Sequence, residues 1–294
     1  MKNWIIFIKE RFEPSSHSIM IVVFLAVHIL ITKKLNLLYV ENWQLVPLTF
    51  GVTFFYFKLR LYDEIKDYEL DVVINKHRPL PRGLLNHRNM YNGIILCILV
   101  ELITFLVSGI NAFFAIIFTI SYSLLMYKEF FIREKIRPHL TTYAIMHTIV
   151  TSFLSLSIFS FLTKQSLTEV IQNKYFLAFS FVNWLLFNIF EFGRKTFSSE
   201  EERDNVDTYS SLFGRKGAAL LVISQRLMSI MIILSLDIFQ NPKVVIAFGI
   251  LLLILLISSF KYVIDDSKSS AKVFRLMSSI YIIIFYIIIG IGLI

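Results

Sequence analysis

The feature that most constrains this chain is a series of long apolar runs that recurs from one end to the other. They fall near 18–36, 43–60, 90–109, 111–127, 141–163, 175–192, 217–237, 243–262 and 274–294, and four of them carry no charge over 17 or more residues. A helix needs about 20 apolar residues to cross a bilayer. Unbroken apolar runs, rather than period-two alternation, argue for helices and against an outer-membrane barrel. Hydrophobic residues make up 56% of the 294 and charged residues 17%, against roughly 25% charge in a soluble domain. A soluble globular enzyme is excluded. The expected fold is an all-α integral membrane protein, one transmembrane domain of nine helices.

The basic residues orient it. With the N-terminus in the cytoplasm, the N-terminal segment and the loops 58–89, 128–140, 193–216 and 261–275 hold 23 of the 29 Lys and Arg. The opposite loops hold 5, namely Lys33, Lys34, Lys164, Lys174 and Lys243, and Arg226 lies within a span. That asymmetry follows the positive-inside rule, so the expectation is a multi-pass protein of the cell (inner) membrane. The net charge of +8 is then read as loop orientation, and no nucleic-acid partner is expected. Cys97 is the single cysteine, which excludes an intramolecular disulfide. The opening MKNWIIFIKERFEPSSH has no small-residue cleavage site after a short apolar core, so no removed signal peptide is expected.

Acidic residues concentrate in two loops of the cytoplasmic side, which hold 11 of the 21. The first group is Asp63, Glu64, Asp67, Glu69 and Asp71; the second is Glu191, Glu200, Glu201, Glu202, Asp204 and Asp207. Each follows an even-numbered span and is mixed with Lys and Arg. The pattern reads as a diverged duplication. Its first half, 18–163, carries the acidic loop 63–71; its second, 175–294, carries 191–207, with a central cavity between two four-helix units. Asp63, Asp67 and Asp71 are spaced i, i+4, i+8, one narrow stripe of a helix. Like charges at that spacing repel. A hard divalent cation that also bridges phosphates would offset the repulsion; the plain alternative is a solvated helix end paired with Lys66 and Arg78. Carboxylates for metal beside cations for phosphate oxygens make a diphosphate-handling composition.

The stretch DEIKDYELD (63–71), followed by RPLPRG (78–83), resembles the first signature of the UbiA-type intramembrane prenyltransferases, N-D-x-x-D-x-x-x-D and then R-P-L-P-x-G. Asp63 stands where that family usually has Asn and Glu64 where it has Asp, while Asp67 and Asp71 match. The second signature, D-x-x-x-D at the end of the sixth span, is similar to NIFEFGRKTF (188–197), with Glu191 at the first acid and Lys195 at the second. SEEERDNVDTYSSLFG (199–214) follows and ends in a turn like the family's. Lys128 resembles a family lysine that contacts diphosphate.

The resemblance implies nine helices with the N-terminus inside, and Mg²⁺-dependent transfer of a prenyl group from an allylic prenyl diphosphate to a lipophilic, often aromatic, acceptor. The implied metal ligands are Asp63, Glu64, Asp67, Asp71, Glu191 and Asp207, with Glu201, Glu202 and Asp204 as alternatives in the second loop. Asp63, Asp67, Asp71 and Glu191 are the implied catalytic acids, and Arg78, Lys128, Arg194 and Lys195 the diphosphate-binding cations. A terpene cyclase on the same scaffold, needing no acceptor, and a secondary transporter are the alternatives. Two residues inside spans, Glu101 and Arg226, carry charge, and intramembrane charges are usually functional. A ring of helices would keep them apart, so separate polar neighbours are expected. His147 would face the cavity as a base or serve as a hydrogen-bonded structural residue.

Overall fold

In a computed structural model, which describes residues 2–203 and 206–294, long helices form where the apolar runs lie. They are α1 (Pro14–Lys34), α2 (Leu45–Lys66), α3 (His87–Leu106), α4 (Ile110–Tyr127), α5 (Leu140–Thr163), α6 (Lys174–Arg194), α7 (Tyr209–Ser235), α8 (Pro242–Ile264) and α9 (Lys268–Leu293). All regular elements among the described residues are helical. Polar caps start several of them: Asn86 and Asn89 form a reciprocal capping box on α3, as Thr208 and Ser211 do on α7. Pro14 and Pro242 occupy the first turns of α1 and α8, where a missing N–H costs nothing. Gly109, at φ 131°, makes the tight turn between α3 and α4 in a region that favours glycine.

Eight of these helices are long and apolar enough to cross a membrane. The remaining one, α2, runs on to Lys66 rather than ending at 60, and its last turns hold Lys58, Arg60, Asp63, Glu64 and Lys66. Lys58, expected in the loop, is in fact inside the helix and fully buried. The chain is an integral, multi-pass membrane protein. Its outward residues agree with that: Leu253, Ile257 and Phe260 of α8 are at least 60% exposed, which suits lipid rather than water.

Each helix packs on its neighbours in sequence, and α9 returns to pack on α1, closing a ring. Four helices also meet inside it, α1 with α5 and α6 with both α5 and α9. A buried polar network binds these four. His28 Nε2 lies 2.7 Å from Ser155 Oγ, which also accepts from Ser180 Oγ and Asn183 Nδ2 at 2.9 Å each, and Tyr286 OH donates to Asn183 Oδ1 at 2.8 Å. Polar side chains buried in an apolar ring must find partners in one another, so the network fixes the register of the first helix on the last.

Before α1, a short helix (Lys2–Phe7) passes through a π turn (Ile8–Phe12) to Glu13, at φ 47°. Trp4, Phe7 and Phe12 all pack edge-on against Phe57 of α2, at 5.4–6.3 Å between ring centroids. That clasp sets Arg11 over the end of α2.

Candidate active site

The first acidic stripe survives folding. α2 ends at Lys66 and a short helix, Tyr68–Ile74, follows, yet Asp67 N donates to Asp63 O at 3.0 Å and Asp71 N to Asp67 O at 2.8 Å, so the helical register carries through. The four acids nevertheless have different surroundings. Glu64 is buried and paired with Arg11. Asp71 is buried, pairs with Arg78 and accepts from Asn75 Nδ2 at 2.8 Å. Asp63 is open to solvent and only loosely held, 3.5 Å from Arg60 and 3.7 Å from Lys66. Asp67 is half-buried and its carboxylate has no hydrogen-bond or ion-pair partner among the described residues. Burial, and then the charge of Asp63, push the Asp67 carboxyl above the usual range. Two acids of the stripe are therefore committed to arginines, and two remain with lone pairs to offer.

The second loop divides similarly. Glu191, at the end of α6, is gripped by two of the four cations expected to hold diphosphate: Arg194 bonds it at 2.5 and 3.0 Å, and Lys195 lies 3.2 Å away. Glu201 accepts from Arg275 at 2.6 and 2.9 Å and caps Ser198, and those Arg275 hydrogen bonds hold its carboxyl down at about 2. Glu202 accepts from Thr208 and Ser210. Asp266, in the α8–α9 turn, takes Ser199 N and Oγ at 3.0 and 2.5 Å. Glu201 and Glu202 thus fasten the loop to its own ends and to α9. Asp207 is exposed, and Asp204 lies outside the described residues. Among the described residues no three His, Cys, Asp or Glu side chains converge as a metal cage.

Folding brings the ends of α2, α5, α6 and α7 together. Asp63 is close enough to Arg194 for their charges to attract, which links the two acidic loops. The Tyr209 hydroxyl, at the start of α7, is buried without a partner among the described residues, beside Glu191 and Arg194. Lys128 ends α4, exposed, its ammonium 5.0 Å from the Tyr127 ring centroid.

The residue after Lys128 escaped sequence reasoning. Glu129 is buried and accepts from Arg137 Nε at 2.7 Å and Tyr143 OH at 3.2 Å, with Arg133 Nε 3.2 Å away. It anchors a turn, Glu129–Phe131, in which three successive residues have φ of 49–58°. Tyr143 OH also accepts from Lys66 Nζ at 3.3 Å, joining this turn to α2. The spacing Glu129, Arg133, Arg137 was the available signal, at i, i+4 and i+8. The two intramembrane charges have separate neighbours, as expected. Glu101 pairs with Lys58, while Arg226 donates to Ser278 Oγ at 2.8 Å and Ser259 Oγ at 3.3 Å and lies over the rings of Phe274 and Tyr281.

An apo structure of a UbiA homologue from Aeropyrum pernix K1 has the same fold, with a TM-score of 0.64 at 16% identity, over 94% of this chain and 96% of that one. A structure described as giving structural and mechanistic insights into the biosynthesis of digeranylgeranylglyceryl phosphate synthase in membranes superposes with a TM-score of 0.64 at 14% identity, covering 100% of this chain and 99% of that one. No curated protein matches the chain. The model of the UbiA prenyltransferase family matches residues 19–280. That stretch takes in all of α2 to α8 and both acidic loops, and with it this chain belongs to the UbiA prenyltransferase family.

Proposed function

We propose that this protein transfers a prenyl group from an allylic prenyl diphosphate to a lipophilic acceptor, with Mg²⁺, at the membrane face that carries the acidic loops. The observation that carries the reading is the pair Asp63 and Asp67. They lie one helical turn apart, and neither is tied into a close ion pair. Mg²⁺ is commonly held by one or two carboxylates together with substrate phosphates, not by a complete protein cage. The two acids fit that use, and the absence of a three-acid cluster among the described residues does not conflict with it. Bound there, the ion would screen charge on the departing diphosphate.

The chain's own cations would do the rest. Arg194 and Lys195 rest on Glu191, half and about a third exposed. They can exchange a carboxylate for phosphate oxygens without leaving their helix end. Lys128 is exposed at the end of α4. Arg78 supports Asp71, and its nearness to Asp67 lets it act on the same charge. Glu64 and Asp71, held by arginines, would fix the helix that presents Asp63 and Asp67. By the basic-residue asymmetry, this face is cytoplasmic.

The test uses purified protein in detergent with Mg²⁺ and labelled prenyl diphosphates of several lengths, with and without candidate acceptors. Acceptor-dependent product that disappears with EDTA is the expected result. Hydrocarbon release without acceptor would make the protein a cyclase, and no consumption of any allylic diphosphate would overturn the reading. Cysteine labelling of intact cells at positions 69 and 203 checks the orientation; ready labelling from outside would reverse it.

A further inference from the structure

We infer that His147 of α5 is the base that takes the proton from a hydroxyl-bearing acceptor, an assignment that rests on the prenyl-transfer reading above. The argument begins with the ring. His147 Nδ1 lies 2.7 Å from the backbone oxygen of Tyr143, four residues back. A carbonyl can only accept, so in the neutral ring Nδ1 carries the hydrogen and Nε2 holds a lone pair. That lone pair is shut off from solvent and has no partner among the described residues. His28 is the contrasting case. Its Nδ1 also meets a backbone oxygen, of Phe24, but its Nε2 is paired with Ser155, both at 2.7 Å, as a structural histidine requires. A buried acceptor left unpaired costs free energy, and a substrate hydroxyl is the donor that would relieve it.

The surroundings of His147 are those of the site. The Tyr143 ring stacks on it at 3.9 Å between centroids, and the Phe130 ring stands edge-on at 6.0 Å. The charged groups facing it are Lys66 and Asp63 of α2 and Glu129 of the turn after α4. The titratable neighbour on its own helix is Tyr143. From α6, the same stretch of α5 meets Trp184, which donates to Ile145 O at 3.0 Å, and Asn188, bonded to Thr148; neither titrates. His147 is therefore within reach of the charges of Asp63 and Lys66, near where the head of an allylic diphosphate is expected.

The step balances as follows. The bond from the allylic carbon to the diphosphate oxygen breaks, and its electron pair leaves with diphosphate. A lone pair on the acceptor oxygen forms the new bond to that carbon, and the hydroxyl proton passes to Nε2. The imidazolium so formed gives up the proton between turnovers. The acceptor class this implies is an alcohol or a phenol.

The test follows geranylgeranyl diphosphate turnover with two hydroxyl acceptors, a 1-O-alkylglycerol and 4-hydroxybenzoate, and measures inorganic pyrophosphate separately. His147→Gln should lower kcat by about 100-fold or more with the KM for the diphosphate unchanged, and should lose the acidic limb of the kcat–pH profile. Binding of unreactive geranylgeranyl thiodiphosphate should persist, and added imidazole should partly rescue His147→Ala. A wild-type kcat and pH profile in His147→Gln would overturn the assignment. So would parallel loss of thiodiphosphate binding, which marks a structural role, or a wild type that releases pyrophosphate yet prenylates neither acceptor. A wild type that releases no pyrophosphate at all would sink the prenyl-transfer reading itself.

Discussion

Lys58 Nζ lies 2.6 Å from Glu101 Oε2, with both side chains fully buried between α2 and α3. The second oxygen, Oε1, has no partner among the described residues. Neither charge can reach water, so each depends on the other. Removing one partner of such a pair typically costs about 3–5 kcal/mol, whereas replacing both with apolar residues is often neutral. Lys58→Met should therefore lower the melting temperature in detergent sharply. The double variant Lys58→Met/Glu101→Met should recover most of the loss. A double variant as unstable as the single one would show that side-chain shape, not charge pairing, holds the site together.

Asp67→Asn separates catalysis from stability. Its carboxyl is held above the ordinary range by burial and by Asp63. A raised carboxyl means that the fold prefers the protonated form. This site is most favourable to folding at low pH and weakens the fold as pH rises through the raised value. At neutral pH the amide removes that penalty, so melting temperature should hold or rise. If Asp67 serves through metal, kcat should fall by orders of magnitude, since several kcal/mol of transition-state stabilisation goes with such an ion. Full Mg²⁺-dependent turnover by the variant would reduce the stripe to a solvated helix end.

The Glu201–Arg275 contact predicts an acid-side loss of stability. Its carboxyl is lowered to about 2 by hydrogen bonds from Arg275. A lowered carboxyl contributes stability above its unfolded value, near 4.3, and loses it as pH falls toward 2. Unfolding followed from pH 6 to pH 2 should show this step in the wild type and not in Arg275→Met. Charge-assisted hydrogen bonds are worth roughly 1.5–3 kcal/mol, so Glu201→Gln should destabilise by about that at pH 7. Identical pH curves for wild type and Arg275→Met would refute the attribution.

At Gly193, α6 packs closely against α9. A Cβ built there would fall 2.2 Å from Ser278 Cβ, so the two backbones meet with nothing to yield. Small residues allow such crossings in membranes. Gly193→Ala should destabilise by about 1–3 kcal/mol, the usual penalty of overpacking, and should also depress activity, because Arg194 and Lys195 follow directly. A Gly193→Ala variant that melts in detergent at the wild-type temperature would show that the two helices can part there without cost.

Much of this molecule was legible in the sequence because the bilayer reduces the choice of structure. A backbone in hydrocarbon must satisfy its own hydrogen bonds, so apolar runs of this length can only become helices. A long helix lies on each run, eight of them apolar enough to cross a membrane, and the Asp63–Asp67–Asp71 stripe followed from helical period alone. What pairing decided was beyond reach. The eleven carboxylates in the two loops looked alike in sequence. Only the folded chain shows Arg11 on Glu64, Arg78 on Asp71, Arg194 and Lys195 on Glu191 and Arg275 on Glu201. On the first stripe, Asp63 keeps only two loose contacts and Asp67 has none among the described residues. Arg11 and Arg275 come from opposite ends of the chain, and partners so far apart leave no local pattern. The same holds for Lys58, whose burial beside Glu101 depends on where α3 lies, and for His147, whose local bond to Tyr143 is helical but whose vacant Nε2 is defined by its neighbours. Helix positions in a membrane follow from local composition; the fate of each charge follows from which distant groups the packing brings within reach, because a buried charge is stable only with a partner.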